Sequence, residues 1–209
     1  MKVRIPGVLA LILLAGCGPG RPEPEKKKAP VHAPETFRVV LDTSKGTVVV
    51  GVTRSWAPRG ADRFHELVSK EFYDGARFFR VVPRFVAQFG LKGDPATDGY
   101  WSRMYMPDDP VTQNNKRGAL SFAMAGAATR TTQVFINLQD NFHLDQMGFA
   151  PFGEVVSGMD VVDQLFKGYG DAPPGGVGPE QSRIRDEGNQ YLERFFPRLD
   201  YIKSARIQP

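Results

Sequence analysis

The sequence predicts a mainly β domain whose antiparallel sheet closes into a barrel, with few helices. Three observations carry that expectation. Short runs rich in Val, Phe and Thr recur from residue 36 to the end, and only three stretches show helical spacing. Turn formers are plentiful, with 22 Gly and 17 Pro among 209 residues. Many short strands with few helices to cover them leave open edges, and closure removes those edges. The chain is 41% hydrophobic and 11% aromatic, enough for one sizeable core, and it shows no internal repeat.

The N-terminus reads differently from the rest. "MKVR" is a charged start, "VLALILLA" an apolar run and "LAGC" a small-residue end, the parts of a secretion signal. The apolar run is too short to span a bilayer comfortably. "LAGC" also resembles the lipobox of bacterial lipoproteins, whose cysteine is acylated after cleavage. Cys17 is the only cysteine and falls at the cleavage position, which favours lipidation and excludes an intramolecular disulfide. The alternative is an ordinary signal peptide with an incidental cysteine, or a short buried helix. Residues 18–35, "GPGRPEPEKKKAPVHAPE", hold five prolines and almost nothing apolar. Such a segment stays extended, reaching roughly 50–60 Å at about 3.1 Å per residue. The expected organisation is a lipoprotein signal peptide at 1–16, a tether at 17–35 and one folded domain at 36–209.

Within that domain, "TFRVVLDTSKGTVVVGV" (36–52) is two β-branched runs around a turn, a hairpin signal. A helix follows from Pro58, with Ala61, Phe64, Leu67 and Val68 on one face. "YDGARFFRVV" returns to sheet, and further strands are expected at 118–125, 132–138 and 152–156. A second helix fits 158–167. After a Gly/Pro loop at 168–179, Ile184, Tyr191, Leu192 and Phe195 mark a third helical face, and "LDYIKSARI" closes the chain as a strand.

The net charge of +4 raises the question of nucleic acid. Beyond residue 35, however, 21 Lys/Arg face 20 Asp/Glu, so the folded part is nearly neutral and no nucleic-acid partner is expected. His32, His65 and His143 lack metal-ligand spacing, and no metal or cofactor is expected.

The period of two along strands sorts side chains by face. Phe85, Ala87 and Phe89 share one side, as do Phe122 with Met124 and Val134 with Ile136. The opposite sides pool Val86, Gln88, Ala123, Ala125, Gln133 and Phe135, which are apolar, small or amide-bearing but never charged. Such a surface fits a shallow groove with a few polar fixtures; an outer face covered by a loop is the alternative.

"FYDGARFFRVVPRFVAQFG", "GALSFAMAGAATRTTQVFINL" and "LDQMGFAPFGEVVSGMDVVDQL" resemble, in order and spacing, the signature segments of cyclophilin-type peptidyl-prolyl cis/trans isomerases. With the 36–75 hairpin and helix, the resemblance covers most of 36–167. It implies a closed eight-stranded antiparallel barrel capped by two helices, with a groove on its outer face; the sequence adds an extra C-terminal helix. It also implies that Arg80 is catalytic, with Phe85 and Gln88 beside it. Val86, Ala123, Met124, Ala125, Gln133, Phe135, His143, Leu144 and Phe149 are implied to bind substrate. Several positions depart from the family pattern. Val86 replaces a common methionine, Arg84 a frequent glycine, Met124 an asparagine and His143 a tryptophan, while Phe149 approximates a pocket histidine.

The chemistry such a site performs can be stated independently. An X–Pro bond is a stiff amide with a rotation barrier near 20 kcal/mol. The twisted transition state gains a lone pair on the proline nitrogen, so a donor aimed there binds it better than either isomer. Arg is a permanently charged donor with several N–H groups. The expectation is therefore an exported isomerase acting on X–Pro bonds of proline-containing polypeptides, monomeric, and lipid-anchored through Cys17 in the cell envelope. In a Gram-negative cell that is the outer membrane, facing the periplasm. A non-catalytic proline-peptide binding module or holdase is the alternative, and a purely structural envelope lipoprotein a third. Turnover that disappears with Arg80→Ala separates the first from the second.

Overall fold

The computed structural model describes Met1 and residues 32–208. The expected signal segment beyond Met1, the lipidation site Cys17 and the tether up to residue 31 lie outside the described residues.

The domain begins with the hairpin the β-branched runs require: β1 (Thr36–Thr43) and β2 (Gly46–Thr53), in register Val40↔Val49. Thr43 closes the turn, its hydroxyl donating to the Gly46 carbonyl at 2.7 Å. A 3-10 turn leads into α1 (Pro58–Ser69), which buries Ala61, Phe64, Leu67 and Val68. Ala57 offers no side-chain cap. The free N–H groups of Arg59 and Gly60 instead donate to the two carboxylate oxygens of Asp109, at 3.0 and 2.9 Å. A carboxylate there also suits the positive end of the helix dipole.

β3 (Arg80–Val81) and β4 (Val86–Phe89) form a second, much shorter hairpin with Arg80 opposite Gln88. α2 (Pro95–Trp101) follows, capped by Asp94, which accepts from Thr97 N–H. Then come β5 (Ala119–Phe122), β6 (Val134–Asn137), α3 (His143–Gln146), β7 (Pro151–Ser157) and α4 (Met159–Asp163). α5 (Gln181–Glu187), α6 (Asn189–Phe195) and β8 (Ile202–Gln208) complete the fold. The eight strands are antiparallel neighbours in the order β3-β4-β6-β5-β7-β2-β1-β8. Val39, Leu41, Val50, Ala87, Phe89, Leu120, Phe122, Val134, Ile136 and Phe152 fill the concave side, where α1 adds Phe64.

The expected closed barrel is corrected to a curled half-barrel. β3 has only two residues, and its end of the sheet is tied to β8 by a single bridge, Arg77↔Tyr201, and a few hydrogen bonds rather than a ladder. The helices also differ from the expected two caps and one extra. α4 covers only five residues of the expected 158–167, because the chain turns off after Asp163. The third helical face splits at Gly188, whose φ of 67° belongs to the left-handed region; a Cβ there would lie 2.5 Å from the Gly93 carbonyl oxygen. α2 and α3 are short additions that the helical spacing does not announce.

α5 and α6 bury Ile184, Tyr191 and Leu192 against Phe79, Leu91 and Leu199, a second apolar cluster beside the first. Phe79 immediately precedes Arg80. The C-terminal segment is thereby docked next to the strand that carries the arginine.

Candidate active site

The β3–β4 turn determines where the aromatic ring of Phe85 goes. Val82 and Phe85 are joined by the turn bond Phe85 N–H to Val82 C=O at 3.0 Å, and Arg84 adopts φ 56°. The Phe85 carbonyl then accepts from Leu138 N–H at 2.8 Å and Asn141 Nδ2 at 2.9 Å. Phe85 lies before β4 begins, so the strand alternation does not govern it. It was expected on the core side with Ala87 and Phe89 by period; it packs instead with Val86, Phe135 and Leu144 outside the sheet's concave side. Met124 departs in the same way. β5 ends at Phe122, and Met124 lines a cavity with Ala123 and Ala125 rather than joining Phe122 in the core.

The apolar half of the site is the cluster of Val86, Phe135 and Leu144, all buried, with the partly exposed Phe85, Ala123 and Phe149 packed on it. Phe135 meets Phe149 edge-on at 5.6 Å, and the exposed His143 stacks on Phe85 at 6.0 Å. Under the cluster, Asn141, Asn137, Asn115 and Ser121 are fully buried and hydrogen-bonded to one another. Asn115 Nδ2 also donates to the Asp145 carboxylate and the Phe149 carbonyl, at 2.7 and 2.8 Å. These amides fix the loops that carry Phe85, Leu144 and Phe149.

The polar half is a single row. Arg80 Nη1 donates to Gln88 Oε1 at 3.2 Å, Gln88 Nε2 to Gln133 Oε1 at 2.8 Å, and Gln133 Nε2 to Gln181 Oε1 at 3.0 Å. At the other end Arg80 Nη2 donates to Asp171 Oδ2 at 2.8 Å. The guanidinium stands over the Phe85 ring at 5.3 Å, a cation–π contact joining the two halves. The Arg80 hydrogen bond holds the Asp171 carboxyl below the usual carboxylate range. Gln88 and Gln133 approach this closely because Gly90 lets β4 press on the segment before β6; a Cβ on Gly90 would lie 2.4 Å from the Thr132 carbonyl oxygen.

A cavity of about 540 Å³ adjoins the amide end, lined among others by Gln88, Met124, Gln133, Arg103, Gln181 and Arg185. Burial raises the carboxyl of Asp98 on its wall, although Lys92 and Gly93 N–H groups bond it. No group of three or more His, Cys, Asp or Glu among the described residues is placed to hold a metal.

The structure thus brings Arg80, Phe85, Val86, Gln88, Gln133, Phe135, Leu144 and Phe149 together, with Ala123, Met124 and Ala125 along the cavity and His143 at the rim. Sequence reasoning missed Asp171, Gln181 and the buried asparagines. Asn137 carried a signal, an amide inside the apolar run "VFIN". Asp171 carried none, because its partner lies 91 positions away.

An open curled sheet carries an arginine, two glutamines and an aromatic cluster together on its outer face. Comparison with known proteins gives the family. The sequence model described as cyclophilin type peptidyl-prolyl cis-trans isomerase matches residues 38–184. Curated relatives include a peptidyl-prolyl cis-trans isomerase-like 1 of Rhizopus delemar, 35% identical over 137 residues, 63% of this chain and 81% of that one. Peptidyl-prolyl cis-trans isomerase A of Dickeya dadantii is 34% identical over 146 residues, 64% of this chain and 73% of its own. Among solved structures, a cyclophilin-type isomerase of Cryptosporidium parvum superposes with a TM-score of 0.62 at 21% identity, covering 83% of this chain and 98% of that one. The same Cryptosporidium protein in the presence of the dipeptide Ala-Pro gives 0.60. The chain belongs to the cyclophilin-type peptidyl-prolyl cis-trans isomerases and is an enzyme of that type.

Proposed function

We propose that this isomerase turns X–Pro bonds of exported proteins, with Arg80 donating to the prolyl nitrogen as the bond twists. The observation that carries the reading is the placement of Arg80. Its guanidinium is held by hydrogen bonds at both Nη atoms and lies over Phe85, beside the apolar cluster of Val86, Phe135 and Leu144. A guanidinium has five N–H groups, so two fixed bonds leave donors free for a substrate.

A proline ring seated on the Phe135, Leu144 and Phe149 side is kept from water, while Gln133 and the main chain near Ala123 grip the peptide backbone. As conjugation breaks, the nitrogen pyramidalises and its lone pair turns toward the arginine. The donor is already in place, so its reorganisation cost is small. One such donor accounts for about 3–4 kcal/mol, or about 10²–10³ in rate. That a protein of this fold was crystallised in the presence of Ala-Pro is consistent with a proline-containing peptide as substrate.

The same reading places the enzyme in the cell envelope, lipid-anchored through Cys17; the tether expected at 17–35 is shortened at its end, because Ala33 and Glu35 are hydrogen-bonded to the domain. It rests on the "LAGC" segment and the lone cysteine. Two experiments test these claims. In an isomerase assay on an Ala-Pro peptide, Arg80→Ala is expected to lower kcat/KM about 10²–10³-fold; equal rates for the two proteins refute the donor role. Palmitate labelling of cells should mark the wild type and spare Cys17→Ser, and a wild type without label refutes the anchor.

A further inference from the structure

The segment after α4 is placed on the site at two points. Its loop delivers Asp171 to one end of the polar row and its helix delivers Gln181 to the other. The loop is built around that delivery. Gly170 bridges Val81, the residue after Arg80, and Asp171 Oδ1 accepts from Ala172 N–H at 2.8 Å. The Asp171 carbonyl accepts from Gly178 N–H at 2.7 Å, closing the loop on itself. The fit is tight enough that a Cβ on Gly176 would lie 2.3 Å from the Asp171 carbonyl oxygen. Gln181 starts α5, whose Ile184 is fully buried with Phe79 and Leu91. Both contacts therefore come from a docked element and not from a free tail.

We infer that the 169–188 segment is part of the isomerase site, with Asp171 as a positioning residue that fixes the Arg80 guanidinium and Gln181 doing the same for Gln133. The inference rests on the reading of Arg80 as the donor to the prolyl nitrogen. A long, unbranched arginine side chain held only by Gln88 could swing about that single bond. A second bond at the other Nη fixes the plane of the fork, and with it the direction of the remaining N–H groups. An ordered donor contributes more to the transition state than one that must first be oriented. Asp171 does not touch substrate in this account; it acts through Arg80.

The test uses the full-length chain and a double-mutant cycle. Asp171→Ala is expected to lower kcat about tenfold with KM changed less than about twofold, because the lost alignment matters when the nitrogen pyramidalises. Asp171→Asn keeps an acceptor for Nη2 and should recover to within about threefold of wild type. In an Arg80→Ala background, Asp171→Ala should change kcat by less than about twofold, since the group it positions is gone. A general loss of packing would instead lower activity further in that background, and that result overturns the inference. So does an Asp171→Ala enzyme as fast as wild type, or faster, which would make the contact idle or a brake. Should Asp171→Ala not fold, NMR of the wild-type guanidinium decides. Separate, slowly rotating Nη–H signals of Arg80 are expected, and one averaged signal overturns the inference. Full activity of Arg80→Ala is a different failure, which removes the donor reading underneath.

Discussion

Asn141 illustrates how a residue that never meets substrate determines the site. Its Nδ2 group donates to the Phe85 carbonyl at 2.9 Å and to Asn137 Oδ1 at 2.8 Å, in a region with no exposure to water. Removing it leaves the Asn137 oxygen without that donor and the Phe85 carbonyl with Leu138 N–H alone. Asn141→Ala is predicted to cost about 1–3 kcal/mol of stability, the usual consequence of a buried polar group left unpaired. Urea unfolding measures that loss, and an unchanged midpoint would count against the network. The same variant should lower isomerase activity, because Phe85 supports the Arg80 guanidinium from below. At this scale the sequence was partly legible. Arg80 and Gln88 stand out as polar residues in apolar strands; they are hydrogen-bonded to each other, and Gln88 lines the cavity. Asn115 and Asn141 do not stand out, because they sit in loops where asparagine is ordinary.

Among the elements, α1 is tied to its surroundings through two carboxylates, Asp109 at its start and its own Asp62. Asp109 caps its first N–H groups, and Asp62 on its outer side accepts from Arg54, His32 and the Ala33 N–H. Burial works against the Asp62 carboxylate, but those donors outweigh it and bring the pKa from 3.8 to about 2. A carboxyl with a depressed folded pKa contributes stability above its unfolded pKa and loses it as pH falls through the folded value. Asp62 is therefore predicted to contribute roughly 2 kcal/mol near neutrality, fading between about pH 4 and pH 2. The check is the difference in unfolding free energy between wild type and Asp62→Asn; it should shrink across that interval, and a constant difference contradicts the assignment. Most elements were legible, while the ends of the short ones and the short helices α2 and α3 were not. The 36–52 hairpin and α1 carry enough residues for a period to show. α2, with seven residues, and α3, with four, carry too few turns for a helical period to show, and β3 and α4 are far shorter than the stretches expected to hold them. Strand alternation put Phe85 and Met124 on the core side because it was extended past the ends of β4 and β5, whereas the family resemblance had put both at the site, where the structure has them.

For the molecule as a whole, the curled sheet separates two tasks. Its concave side is a continuous apolar core, while the outer side near β3, β4 and β6 carries the groove. Three ordered segments of sequence were enough to reach the family, and the match across residues 38–184 agrees. Closure of the barrel was not legible, because it depends on pairing between the chain before β3 and the start of β8, where the structure has one bridge, Arg77↔Tyr201, and no ladder. Nor was the role of the C-terminal segment legible: docking of α5 and α6 on Phe79 and Leu91 brings together residues about a hundred positions apart. The central claim is that Arg80 recognises the half-rotated bond and not the ground state. Exchange NMR at saturating Ala-Pro peptide tests this most directly, because it reports binding and turnover on the same sample. Arg80→Ala should bind the peptide within a few-fold of wild type while catalysed exchange falls about 10²–10³-fold. Exchange that survives the substitution, or that falls only in proportion to lost binding, would contradict the account.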